Sequence, residues 1–456
     1  MQHLYVHVPF CVRRCSYCDF SIAVRKRIPV REFVDAVLAE WRSADSGPAA
    51  SGDPIESIYF GGGTPSLLPP DAIAGILEHI LGSADPGPVV RGERTGLTSA
   101  DPGPVAPGKR TGLTSADPGP VARGKRTGLT SADPGLLARG KRTRLTSADA
   151  GPVGRGERTP VGSADPGPVA RGEREITLEA NPEDVTPDHA RAWHAAGINR
   201  VSLGAQSFDD AVLKWMHRSH DAAQTKRAVQ ALRDAGIENI SLDLIFGLPE
   251  ELQRNWERDL DILCSLLPAH CSLYGLTVEP RTPLDRWISR GATHAPNEER
   301  YADEYLMAHR RLSAEGFEFY EVSNAARAGY RSRHNSAYWS GKSYVGLGPA
   351  AHSFDGKTRR WNLRAWEAYR RAIAEGRSAV ESEETLTDEQ RELERVYLAL
   401  RTEEGLAITA PYRRLPPLTA QGWVEVRDGR LKCTPEGWLR LDSVVNELAM
   451  NTGIQQ

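Results

Sequence analysis

Short apolar runs recur along the chain, and segments with helical periodicity separate them. Between the runs, segments such as REFVDAVLAEWRSA and DHARAWHAAG space their apolar residues as one face of a helix does. Strands that alternate with helices form parallel β–α–β units. The pattern therefore predicts an α/β fold with a barrel or partial (β/α)6 barrel, whose functional groups gather at the carboxyl ends of the strands. The six predicted strands cover residues 4–10, 57–62, 175–181, 200–206, 239–249 and 271–280.

A tract of 16-residue repeats interrupts this pattern between the second and third predicted strands. Copies begin at Gly82, Thr98 and Thr114, and degraded copies continue to about residue 175. Each copy offers few apolar side chains among its Gly, Pro, Arg and Asp residues, too few to offset the entropy of ordering the chain. We therefore expect residues 82–175 to be a disordered insertion that is without function or, alternatively, binds polyanions weakly.

The chain after residue 290 leaves the alternation of strands and helices. Residues 291–380 are interpreted as an extension of the barrel domain, which we assign to residues 1–81 and 176–290. LTDEQRELERVYLALRTEEGL predicts a helix that ends at Gly405, and WVEVRDGRLKCTPEG predicts a hairpin with an Asp-Gly turn. Residues 381–456 are therefore expected to form a winged-helix-like domain, either a structural cap over the barrel mouth or a DNA-binding module.

Composition narrows the class of protein. A chain of 456 residues with 40% hydrophobic residues has room for two domains, and a net charge of −3 gives no reason to expect nucleic acid as a partner. No apolar run is long enough to cross a membrane, and the N-terminus does not resemble a signal peptide. We therefore expect a cytoplasmic protein with reduced thiols. Three of its six cysteines are scattered and are expected to be buried or inert thiols: Cys264, Cys271 and Cys433.

The other three cysteines, Cys11, Cys15 and Cys18, lie in a C-x3-C-x2-C loop immediately after the first predicted strand. Three thiolates on one short loop can ligate three irons of a cubane and leave the fourth iron open. A structural zinc site usually takes four ligands in two separated pairs, and this sequence has no second pair. The loop resembles that of the radical S-adenosylmethionine (SAM) superfamily. The resemblance implies a [4Fe–4S] cluster whose open iron binds SAM. It also implies that an electron from the reduced cluster splits SAM and yields a 5′-deoxyadenosyl radical.

A run of glycines ends the second predicted strand. Gly61, Gly62 and Gly63, followed by Thr64 and Pro65, would let backbone groups approach a ligand closely, although a tight turn explains them equally well. After a C-x3-C-x2-C loop, this run resembles the motif with which the superfamily binds the methionine part of SAM.

Further segments resemble one family in order and spacing, that of oxygen-independent coproporphyrinogen III oxidase and its heme chaperone paralogue. These segments are LYVHVPFC, GGGTPSLL, LEANPED, SLGAQSFDD, LDLIFGLP and HNSAYW. The resemblance implies that Tyr5 lies beside the SAM and that Glu179 holds its amino end. It also implies that Gln206 and Asp243 bond the ribose region and that Arg218 pairs with the carboxylate.

Three features favour the chaperone branch, HemW, over the oxidase. Phe20 stands where the oxidase has a fourth cysteine, and the ten residues before Cys11 are fewer than the oxidase carries. The HNxxYW pattern at 334–339 also resembles that branch. A neutral imidazole is a standard axial ligand of heme iron, and aromatic side chains offer flat apolar faces to a macrocycle. The candidate heme residues are His334, Tyr338 and Trp339, with His352 as a second candidate ligand.

The favoured hypothesis is therefore a heme chaperone that binds a [4Fe–4S] cluster, SAM and heme. Its expected partners are an unidentified heme-acceptor protein and an electron donor such as flavodoxin or ferredoxin. One alternative is oxidative decarboxylation of coproporphyrinogen III to protoporphyrinogen IX. Another is a degenerate barrel that serves as an interaction module through its C-terminal domain.

Overall fold

A computed structural model of the protein describes residues 3–43, 54–84, 174–408 and 415–452. In chain order, the strands within these ranges are β1 (His3–Val8), β2 (Phe10–Cys11), β3 (Ala23–Val24), β4 (Ser57–Gly62), β5 (Glu175–Ala180), β6 (Arg200–Gln206), β7 (Asn239–Phe246), β8 (His270–Gly275), β9 (Glu318–Glu321), β10 (Asn324–Ala326), β11 (Val345–Leu347), β12 (His352–Phe354), β13 (Thr358–Asn362), β14 (Val380–Thr385), β15 (Leu406–Ala407), β16 (Val424–Arg427) and β17 (Arg430–Cys433).

The α-helices of the same ranges follow and separate these strands. They are α1 (Val30–Ser43), α2 (Pro70–Ala84), α3 (Pro187–Ala195), α4 (Asp210–Trp215), α5 (Ala222–Asp234), α6 (Trp256–Ser265), α7 (Pro283–Ser289), α8 (Glu298–Ala314), α9 (Arg333–Trp339), α10 (Trp366–Ala374), α11 (Asp388–Arg401), α12 (Leu415–Ala420), α13 (Pro435–Trp438) and α14 (Leu441–Thr452). No helix in the described part of the chain is both long and apolar enough to cross a membrane.

One open sheet organises the molecule, with the strand order β11-β1-β4-β5-β6-β7-β8-β10-β9. Six consecutive members, β1 and β4 to β8, are parallel and alternate with helices. They are the six predicted strands, so the prediction of a partial (β/α)6 barrel is confirmed. The sequence pattern did not predict the additions at its edges. Strand β11 pairs parallel with β1, and β10 and β9 continue the sheet antiparallel beyond β8.

Successive residues of the parallel strands point to opposite faces of the sheet. One face is apolar and packs in the main core with the surrounding helices, through residues such as Leu4, Val6 and Ile58. The other face, here called the polar face, is joined across neighbouring strands by hydrogen bonds between side chains. It includes His3, Tyr5, His7, Ser57, Tyr59, Glu175, Thr177, Glu179, Arg200, Ser202, Ser241, Asp243, His270 and Ser272.

The segment that was predicted to insert between β4 and β5 falls mostly outside the described residues. Helix α2 continues to Ala84, so residues 82–84 belong to the barrel domain, and β5 begins at Glu175. In the sequence, the repeat tract therefore lies between the end of one helix and the start of the next strand.

The C-terminal domain has the predicted winged-helix-like organisation, with helices α11 to α14 and a three-stranded sheet in the order β15-β17-β16. Asp428 and Gly429 form the hairpin turn with φ of 51° and 72°, as their sequence predicts. Helix α11 ends at Arg401, four residues before the predicted Gly405.

The described residues of the C-terminal domain contact the side of the barrel, and the expectation that this domain caps the barrel mouth stays a prediction. Arg401 pairs with Glu321 on the edge strand β9 at 3.1 Å, and its guanidinium lies 4.2 Å from the ring centroid of Trp339 on α9. Helix α9 lies at the amino-terminal ends of β4 and β5, because Ser57 and Glu175, the first residues of those strands, bond to it.

Candidate cofactor site

The three cysteines of the C-x3-C-x2-C motif lie on a loop that follows β1 at its carboxyl end. Strand β2 carries Cys11 and pairs with β3, which closes the loop on itself. The middle of the cysteine loop is bonded to the residue that follows α4, since the backbone N–H of Ser16 donates to the carbonyl of Met216 at 3.2 Å. The thiols of Cys11, Cys15 and Cys18 are free, and Cys11 is the most buried of the three.

Two hydrogen-bond donors point at sulfur atoms of this loop. The hydroxyl of Thr64 donates to the Sγ of Cys11 at 3.4 Å, and the guanidinium of Arg218 to the Sγ of Cys15 at 3.6 Å. Burial raises the pKa of the Cys11 thiol, and burial raises the pKa of Cys18 to about 12, so burial favours the neutral thiol at both positions.

The donor set fits a cluster better than a single ion. Among the described residues, no three His, Cys, Asp or Glu side chains are close enough together to hold one metal ion. A cubane places each thiolate on a different iron, so it needs three thiols on one loop but not at one point. The scattered cysteines Cys264, Cys271 and Cys433 are buried and free, as predicted.

The glycine run lies directly beneath the cysteine loop, where no side chain could fit. A Cβ on Gly63 would lie 2.7 Å from the carbonyl oxygen of Phe10, and one on Gly62, whose φ is +113°, would lie 2.6 Å from the ring of His7. A Cβ on Gly61 would lie 2.8 Å from the ring of Tyr5. The run therefore brings the backbone of β4 against β1 and positions Thr64 for its bond to Cys11.

Glu179 lies near the carboxyl end of β5, beside this glycine run. Its carboxylate accepts hydrogen bonds from the hydroxyl of Tyr59 at 2.8 Å and from the backbone N–H of Gly62 at 3.1 Å. Burial raises the pKa of Glu179 to about 7, and the charge of nearby Asp243 also raises it. A carboxyl group held in this way can accept further hydrogen bonds from a ligand's amino group.

Gln206 and Arg218, which the sequence predicts to share one site, do converge. Both side chains approach the position that a Cβ on Gly204 would take, at 2.8 and 3.2 Å. The guanidinium of Arg218 donates to the side-chain oxygen of Asn181 at 2.6 Å and to the carbonyl of Gly204 at 3.1 Å. Since Arg218 also touches Cys15, its positive charge lies between the cysteine loop and the strand ends.

Asp243 and Tyr5 complete the predicted SAM site on the polar face. The carboxylate of Asp243 accepts from the hydroxyl of Ser202 at 3.0 Å and from that of Ser241 at 3.2 Å, and burial raises its pKa. The hydroxyl of Tyr5 bonds to the Nδ1 of His7 at 3.2 Å. The structure thus gathers the predicted SAM residues around the strand ends below the cysteine loop.

The HNSAYW segment lies elsewhere. It forms helix α9 at the amino-terminal ends of the strands, opposite to the cysteine loop. His334 is 1% exposed, and both ring nitrogens are engaged: Nδ1 with the hydroxyl of Ser57 and Nε2 with that of Tyr338, each at 2.8 Å. Protein hydroxyl groups therefore occupy both nitrogens of His334, and heme ligation through His334 stays a prediction that requires one of these bonds to break. Trp339 is half-buried, and the guanidinium of Arg401 covers one face of its ring.

His352, the second candidate heme ligand, is more accessible. It begins β12 and stacks on Trp361 with 6.0 Å between ring centroids. Burial, with the charges of Arg364 and Arg359, lowers its pKa, so its imidazole is neutral at pH 7. A surface groove of about 320 Å³ lies beside Arg364 and reaches the cysteine loop; its lining includes Arg14, Phe20 and Trp366.

Sequence reasoning missed two residues of the site, Tyr59 and Asn181. Tyr59 holds Glu179, and Asn181 holds Arg218. The alternation along β4 is the available signal for Tyr59, because it places this side chain on the same face as the glycine two residues later. Asn181 lies directly after a predicted strand, in the position where barrel proteins place functional groups.

Comparisons with known proteins show which proteins this chain is similar to. The family model described as the Radical SAM superfamily matches residues 122–263, a range that includes β5, β6 and β7. The chain is 30% identical over 351 residues to the heme chaperone HemW of Escherichia coli (strain K12), which is 76% of this chain and 69% of that protein. It is 29% identical over 409 residues to the heme chaperone HemW of Bacillus subtilis (strain 168), 89% of this chain and 85% of that protein.

Among solved structures, the coproporphyrinogen III oxidase HemN from Escherichia coli superposes with a TM-score of 0.67. The superposition covers 98% of this chain and 90% of HemN at 18% sequence identity. At 18% identity this match establishes a shared fold and does not by itself indicate a shared function.

Proposed function

Because this chain belongs to the HemW branch of the coproporphyrinogen III oxidase-like family of radical SAM proteins, we propose that it is a heme chaperone. It binds a [4Fe–4S] cluster through Cys11, Cys15 and Cys18, binds SAM at the strand ends, and delivers heme to an acceptor protein. The cluster, when bound, supplies an electron to SAM. The six cysteines of the protein are free thiols, which suits the reducing environment of the cytoplasm.

The convergence of the cysteine loop with the SAM residues is the observation that supports this proposal most. Arg218 touches both Cys15 and Asn181, so one guanidinium connects the loop to the strand ends. Glu179 and Asp243 would accept hydrogen bonds from the amino and ribose groups of SAM, and Arg218 would pair with its carboxylate. Two further side chains would border the ligand: that of Gln206, which lies over Gly204, and that of Tyr5, which lies beside His7.

For heme we propose the face around His352 in place of the HNSAYW segment. His352 has a neutral imidazole, which is the form that ligates iron. Trp361 and the exposed Phe20 offer apolar surface for the macrocycle, and the Arg364 and Arg14 side chains can pair with its two propionates. This face adjoins the cysteine loop, where an electron donor of the flavodoxin or ferredoxin type would also bind.

Anaerobic reconstitution tests the cluster. The wild-type protein should take up about four irons per chain, as a cubane requires. Cys15→Ala should lose the cluster, whereas Cys264→Ala, which removes a buried thiol far from the loop, should keep it. Iron loading that survives Cys15→Ala would contradict the assignment of the loop.

Anaerobic titration with heme tests the rest of the proposal. His352→Ala should weaken heme binding more than tenfold, about 1.4 kcal/mol. Arg364→Ala should weaken it less, and His294→Ala, at a well-exposed histidine, should have no effect. Heme affinity that is unchanged in His352→Ala would place the heme elsewhere.

The enzyme alternative, oxidation of coproporphyrinogen, is decided in the same preparation. With SAM and a reductant supplied, we expect no protoporphyrinogen, because Phe20 replaces the fourth cysteine of the oxidase. Formation of protoporphyrinogen at about 1 per second or faster, an ordinary enzyme rate, would favour the oxidase.

A further inference from the structure

Helix α9 fills the amino-terminal end of the polar face with an aromatic side chain. His334 lies against both tyrosines of this face: its ring centroid is 5.0 Å from that of Tyr59, with the rings 27° from parallel, and 6.3 Å from that of Tyr5. The two tyrosines also stack on each other, 6.0 Å apart. The three rings form one packed layer between the helix and the strand ends that carry the SAM residues.

The far side of this layer holds Glu179. The hydroxyl of Tyr59 donates to its carboxylate at 2.8 Å, so a tilt of the Tyr59 ring moves the group that holds Glu179 in place. His334 is itself fixed from two sides, by Ser57 and Tyr338. Ser57 lies two residues before Tyr59 on the same face of β4, and its hydroxyl also bonds to His3 at 2.8 Å.

The strand that carries Glu179 fastens the same helix. The carboxylate of Glu175 accepts from the backbone N–H groups of Arg333 and His334, each at 3.0 Å, at the amino-terminal end of α9. Glu175 and Glu179 lie on one face of β5, since side chains repeat every second residue. Helix α9 is therefore held by both strands, β4 and β5, that carry the Tyr59–Glu179 pair.

We propose that His334 is a positioning residue of the SAM site, which acts through Tyr59 on the carboxylate of Glu179. This inference rests on the proposed SAM site but not on the proposed heme site. It gives the histidine of the HNSAYW segment a function that needs no contact with heme. Burial lowers the pKa of His334 to about 3, so the ring stays neutral and can keep both hydrogen bonds at physiological pH.

SAM affinity of the cluster-loaded protein tests the proposal. His334→Leu removes the ring and should weaken SAM binding about tenfold, whereas His334→Phe keeps a stacked ring and should stay within threefold of wild type. Tyr59→Phe removes the hydroxyl on Glu179 and should also weaken binding. The double variant His334→Leu, Tyr59→Phe should bind no worse than the weaker single variant, because both act on one carboxylate.

Spectroscopy and a matched control separate positioning from general destabilisation. The change that SAM causes in the electron paramagnetic resonance signal of the reduced cluster should be diminished in His334→Leu and preserved in His334→Phe. His309→Leu removes another stacked imidazole, which lies on α8 with its ring centroid 4.0 Å from that of Phe319 on β9, and should lower the melting temperature without altering SAM affinity. If the His334 variants do not fold, Tyr338→Phe removes the hydroxyl on Nε2 and should weaken SAM binding about threefold.

Two outcomes would overturn the inference. One is a cluster-loaded His334→Leu protein with wild-type SAM affinity and an unchanged signal. The other is loss of heme binding in His334→Leu and His334→Phe while SAM affinity stays unchanged, which would return His334 to heme. Failure of His352→Ala to affect heme would contradict only the proposed heme site.

Discussion

At the scale of single residues, the buried carboxyl group of Glu179 is the clearest point of pH sensitivity. Burial raises its pKa to about 7, which is within the range where proteins work. The charged form accepts hydrogen bonds from an amino group better than the neutral form does. As the pH rises through 7, the carboxyl group of Glu179 therefore becomes a stronger hydrogen-bond acceptor. The hydroxyl of Tyr59 already donates to this group.

We predict that SAM affinity rises between pH 6 and pH 8 and that Glu179→Gln removes most of this rise. At pH 8 the substitution should weaken SAM binding at least tenfold, about 1.4 kcal/mol, with cluster content unchanged. Equilibrium binding at several pH values measures both effects. A pH dependence that is the same in Glu179→Gln and in wild type would assign the titration to another group.

At the scale of elements, the strands could be predicted where they are long and alternate cleanly. The predicted limits of β4 and β6 match the observed ones, at 57–62 and 200–206. The strands added beyond the six parallel ones could not be predicted, because β9 has four residues and β10 and β11 have three each, which is too short to show a period. The HNSAYW segment was predicted as a heme-binding motif with no secondary structure assigned to it. Only its tertiary bonds to Ser57 and Glu175 reveal its place at the amino-terminal ends of the strands.

Helix α1 shows how one buried carboxyl group fastens an element. Glu40 accepts hydrogen bonds from the backbone N–H of Gly348 at 2.7 Å and from the side chains of Asn362 and Tyr369, each at 2.6 Å. Burial raises the pKa of Glu40 to about 7, above its value of about 4.5 in an unfolded chain. The folded protein therefore holds this proton more tightly, and stability from Glu40 is lost as the pH rises from 4.5 through 7.

We predict that Glu40→Gln flattens the pH dependence of stability. Between pH 5 and pH 8, the free energy of unfolding of the wild type should fall by about 2 kcal/mol more than that of the variant. Urea titrations at the two pH values measure the difference. Parallel pH profiles for the two proteins would show that the carboxyl group is not buried as the structure has it.

At the scale of the whole molecule, a buried ion pair joins the barrel to the C-terminal domain. Arg401 and Glu321 are both almost fully buried where α11 reaches β9, and the backbone N–H of Val322 donates to the carbonyl of Arg401 at 3.1 Å. Breaking one partner of such a pair leaves an uncompensated buried charge, which is strongly destabilising. The sequence predicted the domain, but not this contact, because neither residue carries a local pattern.

We predict that the barrel folds without the repeat tract. Replacing residues 86–173 by a short Gly-Ser linker should preserve cluster loading and lower the melting temperature by no more than a few degrees. Loop length costs little, about 0.6 kcal/mol for each doubling. Iron content and thermal unfolding of the shortened protein check this. Insoluble or cluster-free protein after the deletion would show that the repeats contribute to the fold.

The pairing of β1 with β11 has a consequence for biosynthesis. Leu4 pairs with Val345, so the strand that leads into the cysteine loop receives its second neighbour only after most of the polypeptide has left the ribosome. At 5–20 residues per second, the intervening 341 residues take roughly 17–70 s to translate. During that interval the nascent loop has one strand neighbour at most. A complete receptor for the proposed cluster therefore forms only once residues 345–347 have been translated and have docked on β1.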